Sequence, residues 1–247
     1  MAEETPAERD EAVSRLILAL DVPDLGAAQS LLERLRGGIG LVKIGLELYT
    51  AAGPAAVELA RDLGCEVFLD LKLHDIPNTV AGAVRSAREL GVSMLTVHAA
   101  GGGEMLRRAR EAAGDELQLL AVTLLTSLDE ADLASAALLG PPRETVRRRA
   151  ELAASSGCGG VVCSPREVRL VRSAVGAGTA IVTPGIRPSG SAAGDQKRAA
   201  TPRSAISDGA DFLVVGRPIR EAPDPLAAAE AVRDEIAAAL DEVRASG

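Results

Sequence analysis

The chain has 247 residues, 47% hydrophobic and 25% charged, with a formal net charge of −8. That length suits one large α/β domain, and the balance is that of a folded globular protein. The acidic total excludes a general nucleic-acid binder, which leans on a basic surface, and no Trp, one Tyr and two Phe leave little aromatic material for stacking a base.

No apolar run approaches the ~20 residues of a membrane span. The start, MAEETPAERDEAV, is acidic where a secretory signal would be basic and then apolar, so a cytoplasmic protein without membrane contact is expected. Cys65, Cys158 and Cys163 are an odd set without C-x-x-C spacing, which favours reduced structural thiols over a disulfide framework or a zinc site. Lysine occurs only at Lys43, Lys72 and Lys197; every other basic residue is arginine. Lys43 and Lys72 lie inside apolar runs, where lysine offers what arginine cannot, a proton that is lost and regained.

In chain order, residues 1–14 read as a flexible tail and 15–247 as one domain. Eight short apolar runs follow: LILALD (16–21), LVKIGL (41–46), CEVFLDLK (65–72), VSMLTVHA (92–99), LQLLAVTLL (117–125), GGVVCS (159–164), AIVTPG (180–185) and DFLVVGR (211–217). Between them lie amphipathic stretches such as AAQSLLERLR, TVAGAVRSAREL, EMLRRAREAA and ETVRRRAELAASSG, several ending in glycine at Gly64, Gly91 and Gly157. The excursion SLDEADLASAALLGPP reads as an extra helix after the fifth run. Strands alternating with helices predict a parallel sheet, and eight such units fit a closed (β/α)8 TIM barrel, single domain, better than an open doubly wound sheet.

In such a barrel, function sits at the C-terminal ends of the strands. Asp21, Lys43, Asp70, Lys72, His98, Thr126 and Arg217 all fall there. Period-two alternation puts Phe68, Asp70 and Lys72 on one side and Leu69, Leu71 and Leu73 on the other. The leucines meet the helices, so the charges point into the mouth. Neighbouring strands lie ~4.8 Å apart, close enough for Lys43, Asp70 and Lys72 to form an array whose alternating signs offset the cost of burial.

A second cluster closes the chain. VTPGIRP and VVGRPI end the seventh and eighth runs, where barrels often bind phosphate; Gly185 and Gly216 permit close backbone approach while Arg187 and Arg217 supply charge-assisted bonds. The stretch RPSGSAAGDQKR reads as a lid. His98 reads as a hydrogen-bonded structural group, and His74 as positioning its loop. No histidine and carboxylate cluster suggests a metal, and GGG (101–103) lacks the lysine of a phosphate-binding Walker loop.

ALDVPD (19–24), VKIGLEL (42–48), FLDLKLHDIPNT (68–79), TVHAAGG (96–102), VTLLTS (122–127), VTPGIRP with GDQKR (182–198) and VVGRPI (214–219) together resemble the orotidine 5'-phosphate decarboxylase family of bacterial type. The resemblance implies a cofactor-free homodimeric barrel that converts orotidine 5'-phosphate to UMP and carbon dioxide, the last step of de novo pyrimidine nucleotide synthesis. It implies a charged tetrad of Lys43, Asp70, Lys72 and Asp75, with Lys72 delivering a proton to carbon 6. Asp75 and Thr79 would be contributed to the partner's site, Thr79 touching ribose. Asp21 and Lys43 would bind ribose hydroxyls, Thr126 the pyrimidine edge, and Gln196 both base and phosphate. Arg217, the Gly216 backbone and Arg187 would hold the phosphate. Two alternatives stand beside it: a magnesium-dependent ketose-phosphate decarboxylase or aldolase of the same barrel superfamily, and a noncatalytic phosphate-binding barrel. Such magnesium enzymes share D-x-K-x-x-D but look to carry a carboxylate where this chain has Lys43.

Overall fold

A computed structural model describes residues 6–135, 140–188 and 200–246. Among them, eight parallel strands close a barrel in sequence order: β1 (Leu16–Ala19), β2 (Leu41–Gly45), β3 (Glu66–Leu73), β4 (Met94–His98), β5 (Gln118–Val122), β6 (Gly160–Val162), β7 (Ala180–Pro184) and β8 (Phe212–Val215). Each falls on one of the eight apolar runs. Around them lie α1 (Pro6–Arg15), α2 (Leu25–Arg34), α3 (Leu46–Ala52), α4 (Pro54–Asp62), α5 (Pro77–Glu89), α6 (Gly102–Ala113), α7 (Glu130–Ser135), α8 (Pro142–Ser155), α9 (Val168–Val175), α10 (Pro202–Ser207), α11 (Arg217–Arg220) and α12 (Pro225–Ser246). The extra helix expected after the fifth run is α7; residues 136–139 of that excursion lie outside the described residues.

β1 pairs with β2 through Ile17 and Leu41 and with β8 through Ile17 and Val214, so the sheet has no free edge. Both faces of every strand are covered, which explains why the runs are apolar almost throughout. Ile17, Ala19, Leu41, Phe68, Met94, Leu120, Val182 and Val214 fill the barrel interior. Their neighbours Leu18, Val42, Leu69, Leu95, Leu119, Ile181 and Leu213 pack outward against the helices. Phe68, fully buried, plugs the interior beneath the mouth; burial of a side chain of that size contributes ~1.5–3 kcal/mol.

The alternation is broken once, between β3 and β4. Leu69 pairs with Leu95, but the next pair is Leu73 with Val97, so β3 carries two more residues than β4 over the same span. Lys72 takes up the slack at φ 50, the single positive φ outside glycine among the described residues. Because the excess is two residues, inward and outward positions keep their faces beyond the bulge.

The stretch expected to be a flexible tail is helical over Pro6–Arg15. Ala12 is buried, Arg15 pairs with Glu11 at 2.8 Å, and Glu11 also meets Arg244 of α12. A short amphipathic turn sequence thus finds stability in packing rather than in intrinsic helix propensity. No helix of the described residues is long and apolar enough to cross a membrane.

Candidate active site

The C-terminal ends of β1, β2 and β3 deliver four charges of alternating sign. Lys43 Nζ donates to Asp21 Oδ1 at 2.9 Å and lies 3.7 Å from Asp70 Oδ2. Asp70 Oδ2 also accepts from Lys72 Nζ at 2.8 Å. The Lys43 and Asp70 side chains are each 12% exposed, whereas Lys72 is 33% exposed and reaches into the mouth. Each buried charge has an opposite partner; removing one member of such a pair typically costs ~3–5 kcal/mol through the charge left behind. Gly45 makes room for the array: a Cβ there would lie 3.0 Å from Lys43 Nζ and 3.1 Å from Asp21 Oδ1.

The bulge aims Lys72. Its backbone N–H donates to Thr96 Oγ1 at 2.8 Å, and that hydroxyl donates to Asp70 Oδ1 at 2.9 Å. Asp70 therefore presents one oxygen to β4 and the other to the lysines.

Beside the array a cavity of about 260 Å³ opens between β1, β2, β7 and β8, lined among others by Asp21, Lys43, Arg187, Gly216, Arg217 and Arg220. Arg187 and Arg217 in its lining suit a dianion such as a phosphate ester, while the Arg220 guanidinium donates to the Asp21 carbonyl and to Glu221. Ile186 bridges Ala200, and the Arg187 N–H donates to the Ala200 carbonyl at 2.9 Å, beside the cavity that Ile186 and Arg187 line. Gln196 and the expected lid fall in the segment 189–199 and lie outside the described residues.

Other expected residues stand apart. Asp75 and Thr79 are exposed, beyond the end of β3 and at the start of α5; Asp75 Oδ1 accepts the Ile76 N–H at 2.7 Å, and Asp75 forms no ion pair among the described residues. The adjoining Ile76 is 68% exposed. Thr126 is half-buried in the loop after β5. His98 ends β4, where its ring stacks on His74 with centroids 5.3 Å apart and its Nδ1 accepts the Ala100 N–H at 3.3 Å. Burial, then the positive charge of Arg149 and the proximity of His74 and Lys72, lower the His98 pKa to about 4, so the ring is neutral at physiological pH.

Comparison with known proteins decides the family. Residues 14–232 match the model of the "Orotidine 5'-phosphate decarboxylase / HUMPS family". The chain belongs to this family. An orotidine 5'-phosphate decarboxylase from Anaeromyxobacter sp. (strain K) is 56% identical over 88% of this chain and 96% of the relative, and one from Moorella thermoacetica is 52% identical over 92% and 94%. Among solved structures, the orotidine 5'-phosphate decarboxylase of Lactobacillus acidophilus superposes with a TM-score of 0.81 at 38% identity, covering 90% of this chain and 98% of that one.

Within this family member, the structure adds residues that the sequence reading passed over. Gly45 sits two positions past Lys43 on the same face of β2, and Thr96 sits between Met94 and His98 on the inward face of β4. Glu47 and Arg220 line the cavity. Period-two counting from Lys43 finds Gly45, and counting from His98 finds Thr96; Arg220 follows from one helical turn beyond Arg217.

Proposed function

We propose that this chain decarboxylates orotidine 5'-phosphate to UMP and carbon dioxide, without a cofactor, as a cytoplasmic homodimer. The observation that carries this reading is the array of Asp21, Lys43, Asp70 and Lys72, buried at Lys43 and Asp70, beside an arginine-lined cavity. Relatives at 52–56% identity over most of the chain carry the name of the reaction.

The chemistry calls for such an array. When the bond from carbon 6 to the carboxylate breaks, its electron pair stays on carbon 6 in the plane of the ring, where no π system delocalises it. The charge is met electrostatically by the Lys72 ammonium, which then gives carbon 6 a proton and is reprotonated from solvent. Asp70, hydrogen-bonded to Lys72, faces the departing carboxylate and holds the lysine in place. Asp21 and Lys43 take the ribose hydroxyls, Thr126 the pyrimidine edge and Gln196 both base and phosphate. Arg187, Arg217 and the Gly216 backbone hold the phosphate, whose binding energy assembles the site far from the reacting bond.

In this reading Asp75 and Thr79 act in the partner's site. Their exposure, next to the exposed side chain of Ile76, suits a segment that becomes covered on dimerisation. The test is the fall in ultraviolet absorbance as purified protein meets orotidine 5'-phosphate in excess chelator. Steady turnover is expected; no turnover, or turnover that appears only with magnesium, overturns the proposal.

A further inference from the structure

The two groups at the heart of the array, Asp70 and Lys72, are held by one side chain outside it. Thr96 is fully buried on β4. Its hydroxyl has one proton to give and lone pairs to receive, and both capacities are used: it donates to Asp70 Oδ1 at 2.9 Å and accepts the Lys72 N–H at 2.8 Å. The second bond replaces a ladder bond that the bulge removes, since β3 and β4 fall out of register between Leu69 and Leu73. It also fixes the residue whose backbone sits at φ 50, a conformation unfavourable to a side-chain-bearing residue unless its surroundings hold it.

We propose that Thr96 is a positioning residue for the decarboxylation: one hydroxyl sets the rotation of the Asp70 carboxylate and the backbone from which Lys72 reaches the reacting carbon. With Oδ1 occupied by Thr96, only Oδ2 faces Lys72 and Lys43. A valine of the same shape could supply neither bond, and it would leave a buried carboxylate oxygen and a part-buried N–H without their partner. The inference rests on the proposed reaction, because the consequence of misplacing Lys72 is read in turnover.

The experiment compares Thr96→Val and Thr96→Ser with the wild type, measuring kcat and KM for orotidine 5'-phosphate and the affinity for UMP. Thr96→Val is expected to lower kcat by ~10²-fold, as a displacement of about 1 Å does elsewhere, with KM and UMP affinity within about threefold of wild type. Thr96→Ser, which keeps the hydroxyl, is expected to restore most of kcat. A crystal structure of Thr96→Val should show Lys72 displaced or Asp70 turned. The inference is overturned if Thr96→Val turns over like wild type, if Thr96→Ser falls as far as Thr96→Val, or if UMP affinity collapses together with kcat. Wild-type turnover matched by Thr96→Val would sink this inference alone; an inactive wild type would sink the proposed function and this inference with it.

Discussion

Lys72 Nζ and Asp70 Oδ2 meet at 2.8 Å although the two residues are separated by a single leucine on a strand that bulges between them. In a regular strand, side chains two apart point the same way and run side by side. Here Lys72 has a left-handed backbone, φ 50, and its ammonium still meets the carboxylate.

Lys72→Ala should reduce decarboxylation by at least ~10³-fold, combining lost proton delivery with lost electrostatic stabilisation, while circular dichroism shows the barrel intact. The backbone adds a second comparison. Lys72→Gly loses the same ammonium but tolerates φ 50 without a Cβ penalty, so it should melt no lower than Lys72→Ala. An active Lys72→Ala variant would refute the role of the lysine.

Asp75 lies exposed in the loop between β3 and α5 with no ion pair among the described residues, whereas Lys72 is tied into the array of its own barrel. If the two serve one site from different chains, Asp75→Asn and Lys72→Ala homodimers should each be inactive, while an equal mixture, unfolded and refolded together, regains activity. Random pairing of a twofold dimer leaves about a quarter of the wild-type sites complete. A mixture no more active than its components would mean that both residues act in the same chain.

The chain has two histidines, so a proton NMR titration reads His98 directly. Its midpoint should lie near 4 rather than 6.5, because burial and the nearby Arg149 disfavour the charged ring. The unfolded chain binds a proton that the folded one refuses across this window, so the His98 contribution to stability is complete above 6.5 and is lost as pH falls toward 4. For a half-exposed ring screened by solvent the loss is about 1 kcal/mol. His98→Gln should reduce the difference in unfolding free energy between pH 7 and pH 4.5, measured by urea titration, by that amount; an unchanged difference would count against it.

Thiol reactivity should follow depth. Cys158 and Cys163 are buried, and burial pushes the Cys158 thiol up to about 12 and the Cys163 thiol higher still. Cys65 is partly exposed and also raised by burial. Since the thiolate is the reactive form, an aromatic disulfide reagent at pH 8 should find Cys65 slowly and the other two only after denaturation. Rapid release of three equivalents from native protein would contradict this packing.

The barrel was legible because its strands are apolar on both faces and its charges gather at their C-terminal ends. Alternation placed Asp70 and Lys72 inside and Leu69, Leu71 and Leu73 outside, and the two core clusters agree. The same alternation concealed the bulge, because an excess of two residues leaves a period-two pattern unchanged. Thr96 was hidden for another reason: in MLTVH a threonine is an ordinary strand former, and only the register shows that its hydroxyl lies between Asp70 and Lys72. The start reads as a flexible tail from its terminal position, yet α1 docks through the buried Ala12 and the pairing of Glu11 with Arg244. The role proposed for Asp75 involves a second chain, and it rests on the family resemblance rather than on any pattern within this chain.

The scarcity of lysine gives this protein an unusual chemical surface. Among the described residues the only side-chain amines are Lys43 and Lys72, both committed to Asp70, and Lys197 follows Gln196 in the segment beyond them. Acylating reagents, amine-coupled sensor chips and lysine-directed crosslinkers, which on most proteins decorate the exterior, would here find few side chains other than Lys43 and Lys72 in the barrel and Lys197. Protection of those amines by a bound nucleotide would therefore report occupancy directly, without any engineered label.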